Sequence, residues 1–120
     1  MRIDQHRIDY FGAAQGEFLM LPPKIIEKAE RALGLAARGL KAPKAKPLRI
    51  PGFKGSGILE LVLPFMGNTY RVVYTTMIDG EIWVIRVFMK KSSSGIKTAK
   101  SEIDLITQRM RSLLGQRDLR

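Results

Sequence analysis

The sequence predicts an α+β fold in which an N-terminal helix, an antiparallel β meander and a C-terminal helix follow one another along the chain. Three observations carry this expectation. Apolar residues recur at helical spacing after Pro22-Pro23. From Ile58 the period changes to two, with turn-forming pairs between the runs. Helical spacing returns beyond Ser92-Ser93-Ser94-Gly95. An order of helix, meander, helix is expected to pack the helices on one side of the sheet.

Residues 1–16 show a weak pattern and read as an arm or short strand. Proline is welcome in the first turn of a helix, where its missing N–H costs nothing, so Pro22-Pro23 open one. Ile25, Ile26, Ala29, Ala32, Leu33 and Ala36 form its apolar face, and Lys24, Glu27, Lys28, Glu30 and Arg31 cover the other. Gly39 stands where the helix should end. Leu40–Pro51 holds three prolines, three lysines and one arginine. Proline removes backbone donors and restricts the residue before it, which leaves an ordered basic connector and excludes a long helix or a central strand.

Residues 52–57 form a glycine-rich loop that precedes a strand, not a helix, so a solvated turn is favoured over a phosphate cradle. Strands are expected over 58–64, 69–77 and 81–89. Turns are expected at Gly67-Asn68 and Asp79-Gly80, because both pairs tolerate positive φ. The last helix should run from about Ala99 to Leu114 with Ile103, Ile106, Met110, Leu113 and Leu114 buried, and Gly115 should end it. Residues 115–120 then form a frayed tail. With no repeats and no shift in composition, residues 1–120 are expected to make one domain.

Several chemistries are excluded by what the chain lacks. It has no cysteine, hence no disulfide, thiolate metal site or cysteine nucleophile. The lone histidine, His6, cannot furnish a metal cage, and no metal or other cofactor is expected. P-loop, dinucleotide and nucleophile-elbow motifs are missing. No apolar run approaches the roughly 20 residues that span a bilayer, and the N-terminus does not read as a signal peptide, which points to the cytoplasm. The net charge of +10 favours a polyanionic partner such as nucleic acid, an acidic protein partner, or both.

Strand parity places Tyr70, Val72, Tyr74 and Thr76 on one face and Arg71, Val73, Thr75 and Met77 on the other. In the next strand it groups Ile82, Val84, Arg86 and Phe88 against Trp83, Ile85, Val87 and Met89. Arg71 and Arg86 sit in apolar strands, where an unpaired charge is costly. Each must pair with Glu60 or a similar acid, or open onto a wet groove. Lys90, Lys91, Lys97 and Lys100 gather positive potential that would steer phosphate. Lys54 lies where the glycine-rich loop feeds the sheet, and Trp83 and Phe88 are expected in the core.

The segments ILEL, NTYRVVY, EIWVIRVFMKK and IKTAKSEIDLITQRM, taken together, resemble the phage-derived, HigB-like branch of the RelE/ParE toxin superfamily over about residues 22–114. The chain carries Val62, Arg86 and Ala99 where that branch has arginine, histidine and proline. The resemblance implies a compact RelE-like fold, with two N-terminal helices or one helix and an arm. It also implies a cytoplasmic toxin with an acidic, helix-turn-helix antitoxin, acting on mRNA at the ribosome as a metal-independent endoribonuclease. The ParE branch acts on gyrase instead, and an inactive prophage relic is the remaining alternative. On this resemblance Arg71 would stabilise the scissile phosphate and Lys90 or Lys91 would move protons. Lys54, Arg86, Lys97 and Lys100 would hold RNA.

Overall fold

A computed structural model describes residues 7–53, 57–78, 81–91 and 97–118, without the side chains of 77, 78, 117 and 118. His6, Lys54 and the Asp79-Gly80 turn lie outside the described residues. The elements are β1 (Ile8–Tyr10), α1 (Ala14–Leu19), α2 (Pro23–Ala37), β2 (Ala45–Pro47), β3 (Ile58–Phe65), β4 (Asn68–Ile78), β5 (Glu81–Lys91) and α3 (Lys100–Asp118). The strands form one sheet in the order β1-β5-β4-β3-β2.

The expected meander is its centre, and short strands extend it on both sides. β1 pairs parallel with β5, Ile8 opposite Ile82 and Tyr10 opposite Val84. β2 emerges from the proline-rich connector and pairs antiparallel with β3. Proline confines it to the edge, since Pro47 has no N–H to give a further strand.

α2 ends as its sequence suggests. Gly39 adopts φ +78. Its N–H bonds to Ala36 O, while the Leu40 N–H reaches back to Leu35 O, both at 3.0 Å. This is a Schellman arrangement, and glycine provides its left-handed residue without steric cost.

The β3–β4 turn falls one residue earlier than expected. Phe65 pairs with Asn68, leaving Met66 and Gly67 as the loop. Both have positive φ, +51 and +80, as a type I′ turn requires. α3 also differs from expectation, continuing through Gly115 to Asp118. A single exposed glycine costs a helix only about 1 kcal/mol, too little to end one whose preceding turns are anchored.

Two apolar clusters occupy opposite faces of the sheet. Leu61, Leu63, Val72, Tyr74, Ile82, Val84 and Val87 meet α1 and α2, and Ile58, Val73 and Ile85 meet Ile106, Met110 and Leu113 of α3. Helices therefore cover both faces, correcting the one-sided packing expected from element order. The basis is that β3, β4 and β5 each carry apolar residues at both parities, so both faces need cover.

One irregularity changes parity within β5. Val73 faces Arg86 but Tyr74 faces Val84, so Ile85 is an extra residue on β5. Ile85 and Arg86 consequently share the α3 face, and Val87 returns to the face of Val84. Uninterrupted alternation, the sequence-based expectation, misassigns every residue beyond the bulge.

Candidate nucleic-acid interface

A diagonal row of charged side chains crosses four strands on the α3 face. Lys46 on β2 stands opposite Glu60 on β3. Glu60 is opposite Val73, which makes Arg71 its diagonal neighbour on β4; Lys90, two residues beyond Phe88, is the diagonal neighbour of Arg71 on β5. Such neighbours lie about 7–8 Å apart, within reach of long side chains.

The centre of the row is closed. Arg71 and Glu60 are both 3% exposed, and Arg71 Nη1 donates to Glu60 Oε1 at 3.1 Å and to Thr98 Oγ1 at 3.3 Å. The Thr98 hydroxyl in turn donates to Glu60 Oε2 at 3.0 Å. Of the two environments open to Arg71, the structure realises the acid partner: the guanidinium is not on a wet groove. Burying two charges is costly unless they are paired and hydrogen-bonded, and here Thr98 completes the pairing. The cluster thereby fixes the lead-in to α3 over the sheet.

The rim is open and cationic. Lys97 and Lys100 flank Thr98 and are exposed, with Lys100 Nζ 3.0 Å from Asp104 Oδ2. Lys46 is exposed and Lys90 half-buried. Lys91 is exposed too, but alternation sends it to the opposite face from Lys90. The lysine pair that ends β5 thus divides between the two faces.

Arg86, opposite Val73 and on the other diagonal from Arg71, stands beside this row but is engaged elsewhere. Its Nε and Nη2 donate to Glu102 at 2.7 and 2.9 Å, and its Nη1 donates to Glu17 at 2.7 Å. Arg109 of α3 also grips Glu17, and donates to Ile85 O at 2.9 Å. The Glu17 carboxylate accepts in addition from the Val87 N–H at 3.1 Å. Two carboxylates and two guanidinium groups thus close the β5 edge where β1 stops. Burial alone would raise the Glu17 carboxyl. The Arg109 and Val87 hydrogen bonds and the Arg86 and Arg109 charges outweigh it, holding the group below its ordinary range. The hydrogen bond to Glu102 chiefly raises Arg86, against desolvation.

Of the cations expected to meet RNA, the structure puts Lys90 on the α3 face, with Lys97 and Lys100 exposed on the lead-in to α3 on either side of Thr98. It turns Lys91 away and commits Arg71 and Arg86 to internal acids. Lys46, Thr98, Glu17 and Arg109 gave no sequence signal of their roles, because each acts through a partner remote in the chain. Among the described residues no cluster of His, Cys, Asp or Glu could hold a metal ion, and no helix is long and apolar enough to cross a membrane.

Residues 16–111 match the family model "Phage derived protein Gp49-like". No curated protein matches the chain. Among solved structures, the chain is similar to a double arginine-to-alanine variant of the toxin RelE from E. coli in the free state. That likeness has a TM-score of 0.58 and 20% identity, over 88% of this chain and 97% of that one. It is also similar to the toxin–antitoxin complex RelBE2 from Mycobacterium tuberculosis, with TM-score 0.46 and 21% identity over 74% of this chain and 95% of that one. The sheet with its C-terminal helix is thus a RelE-like fold, and the chain belongs to the phage-derived Gp49-like family, of the RelE/ParE toxin type.

Proposed function

We propose that the chain is the toxin of a toxin–antitoxin pair and that it acts in the cytoplasm as an endoribonuclease on mRNA at the ribosome. The observation that carries this reading is that Lys46 and Lys90 share the face of a buried, neutralised Glu60–Arg71 pair, over which Thr98 holds the segment bearing the exposed Lys97 and Lys100. Such a rim neutralises phosphates and releases counterions without presenting an opposing carboxylate at its centre. Family membership and the fold shared with RelE support the toxin role.

Cleavage by the RNA's own 2′-hydroxyl needs a base, charge stabilisation at phosphorus and an acid for the leaving oxygen. Lys90 is the group on the open face suited to the phosphate. Lys91 faces the other way, off this surface. Arg71 is a positioning residue in this reading: it holds Thr98, and through Thr98 it places Lys97 and Lys100. The net charge of +10 calls for an acidic antitoxin.

Induction of Lys90→Ala in growing cells, with primer extension on total RNA, tests the assignment. Relief of growth arrest and loss of discrete cuts within translated codons are expected from a stably expressed variant. Unchanged toxicity would overturn it. The commitment of Arg71 and Arg86 to internal acids favours a second reading, a non-nuclease toxin of the ParE type acting on gyrase. Intact transcripts with DNA damage after induction of the parent chain would establish that one.

A further inference from the structure

A half-open cavity of about 460 Å³ lies on the α1–α2 face of the sheet, away from the row of cations. Leu59, Tyr74 and Ile82 form its floor on β3, β4 and β5, with Leu59 directly opposite Tyr74. Ala36, Gly39, Leu40 and Ala42 roof it where α2 ends, and β2 closes one side with Ala45 and Pro47. Lys41 and Thr76 line it and are exposed, which places them at its mouth. The roof is held in place by backbone hydrogen bonds. The Ala45 N–H bonds to Ala42 O, and Lys44 O accepts the Val62 N–H of β3, both at 3.2 Å. Lys44 takes a left-handed φ of +69 in that turn, which for such a residue persists only where the surrounding structure enforces it. Settling of the roof onto Tyr74 would break these bonds. The space is therefore preformed, and its volume falls in the range of small-molecule sites, roughly 300–1,000 Å³.

The polar groups of the cavity are few. Tyr74 is 1% exposed, and no described residue makes a hydrogen bond to its hydroxyl. Burial raises the phenol above its ordinary range, so it stays a neutral donor. A buried tyrosine hydroxyl ordinarily finds a partner, and the cavity it lines is where one can stand. Lys41 is the single charged side chain of the lining, and no acid accompanies it. The Leu35 and Ala36 carbonyls at the end of α2, which would repel an anion, are already taken by the Leu40 and Gly39 N–H groups.

We propose that this cavity binds a small monocarboxylate with an apolar body, whose oxygen accepts the Tyr74 hydroxyl and whose charge is met by Lys41. The body lies on Leu59 and Ile82 beneath Ala42. A neutral molecule of the same shape leaves Lys41 unused, and a cation meets it as a like charge. A second copy of this chain is a poor occupant, because two chains of +10 repel. The cavity and the cationic row are on opposite faces of the sheet, so the site stands or falls independently of any action on RNA.

The probe is phenylbutyrate. Its controls are phenylbutylamine, with the same apolar body and the opposite charge, and acetate, with no body. Binding to the full chain is followed by calorimetry and by amide chemical shifts. Phenylbutyrate is expected to bind about tenfold more tightly than either control, and to shift the amides of Ala42, Ala45, Tyr74 and Thr76. Tyr74→Phe removes a hydroxyl that no described residue uses, so it should melt like the parent and bind the probe about fivefold to tenfold more weakly, the loss of one hydrogen bond. Lys41→Gln, a surface change, should weaken binding about threefold. Ala45→Leu, which fills the cavity, should abolish it. Absence of probe binding, equal binding of the amine or acetate, or full affinity in Tyr74→Phe or Ala45→Leu would overturn the proposal. Shifts confined to Lys46, Lys90 and Lys97 would also overturn it, marking anion binding on the other face. So would a Tyr74 amide shift that grows with protein concentration in the absence of probe, which would assign the cavity mouth to a second copy.

Discussion

Arg109 grips the carboxylate of Glu17 with both terminal nitrogens, at 2.9 and 2.8 Å, across 92 positions of the chain. The contact ties α3 to α1 over the β5 edge, and Arg86 joins it from the sheet. Pairing of this bidentate kind fixes orientation as well as adding energy.

Replacing Glu17 by alanine takes one acceptor from two guanidinium groups and from the Val87 N–H together, while Arg86 keeps Glu102 and Arg109 keeps Ile85 O. A loss of about 2 kcal/mol is expected from the unsatisfied groups, reduced from the fully buried case because water still reaches them. Urea unfolding should show a lower midpoint at unchanged slope. A double-mutant cycle with Arg109→Ala should return a favourable coupling between the two residues; strict additivity would contradict the geometry.

Acid should act through the same carboxylate. The Glu17 group is held below its ordinary value in the folded chain. Its contribution is therefore complete above the unfolded value, about 4.3, and is lost as pH falls through the lower, folded one. Stability measured from neutral pH down to acid should decline more steeply in the parent chain than in Glu17→Gln. Parallel profiles would show that the network does not titrate with folding.

Removal of Arg71 leaves Glu60 a buried carboxylate that keeps the Thr98 hydroxyl but has lost its counter-charge. Arg71→Ala should cost about 3–5 kcal/mol. Changing both charges, Arg71→Met with Glu60→Leu, should recover most of that loss. Thermal unfolding of the single and double variants checks it, and a single variant as stable as the parent would show that the pair is not structural.

Met66 occupies the left-handed region at φ +51 with its side chain 84% exposed. Asparagine tolerates that conformation far better, and Asn-Gly is a favoured type I′ pair. Met66→Asn should stabilise the chain by about 1 kcal/mol, seen as a higher melting temperature. No change would mean that the turn relaxes at no cost when the hairpin forms.

The sequence made α2, the three long strands and α3 legible, because each carries a long apolar period, although the glycine expected to stop α3 does not do so. β1 was legible only as an arm or short strand and β2 not at all, since three-residue strands owe their existence to the strand beside them, not to their own pattern. The candidate site was legible in composition but not in geometry. Arginine in an apolar strand announced a buried partner, and Glu60 was the acid in reach for Arg71. Nothing local could announce that Arg86 would meet Glu17 and Glu102, because the bulge at Ile85 decides the face it points from.

That bulge acts as a phase shift in the β5 pleat. Keeping Ile85 in unbroken alternation, with no bulge to absorb it, would carry Arg86, Phe88 and Lys90 to the α1–α2 side. The row across the sheet would then stop at Arg71, and Lys91 would take the place of Lys90. Which side of the molecule presents its cations is thus set by how one extra residue of β5 is absorbed, and not by the identity of any side chain in the row.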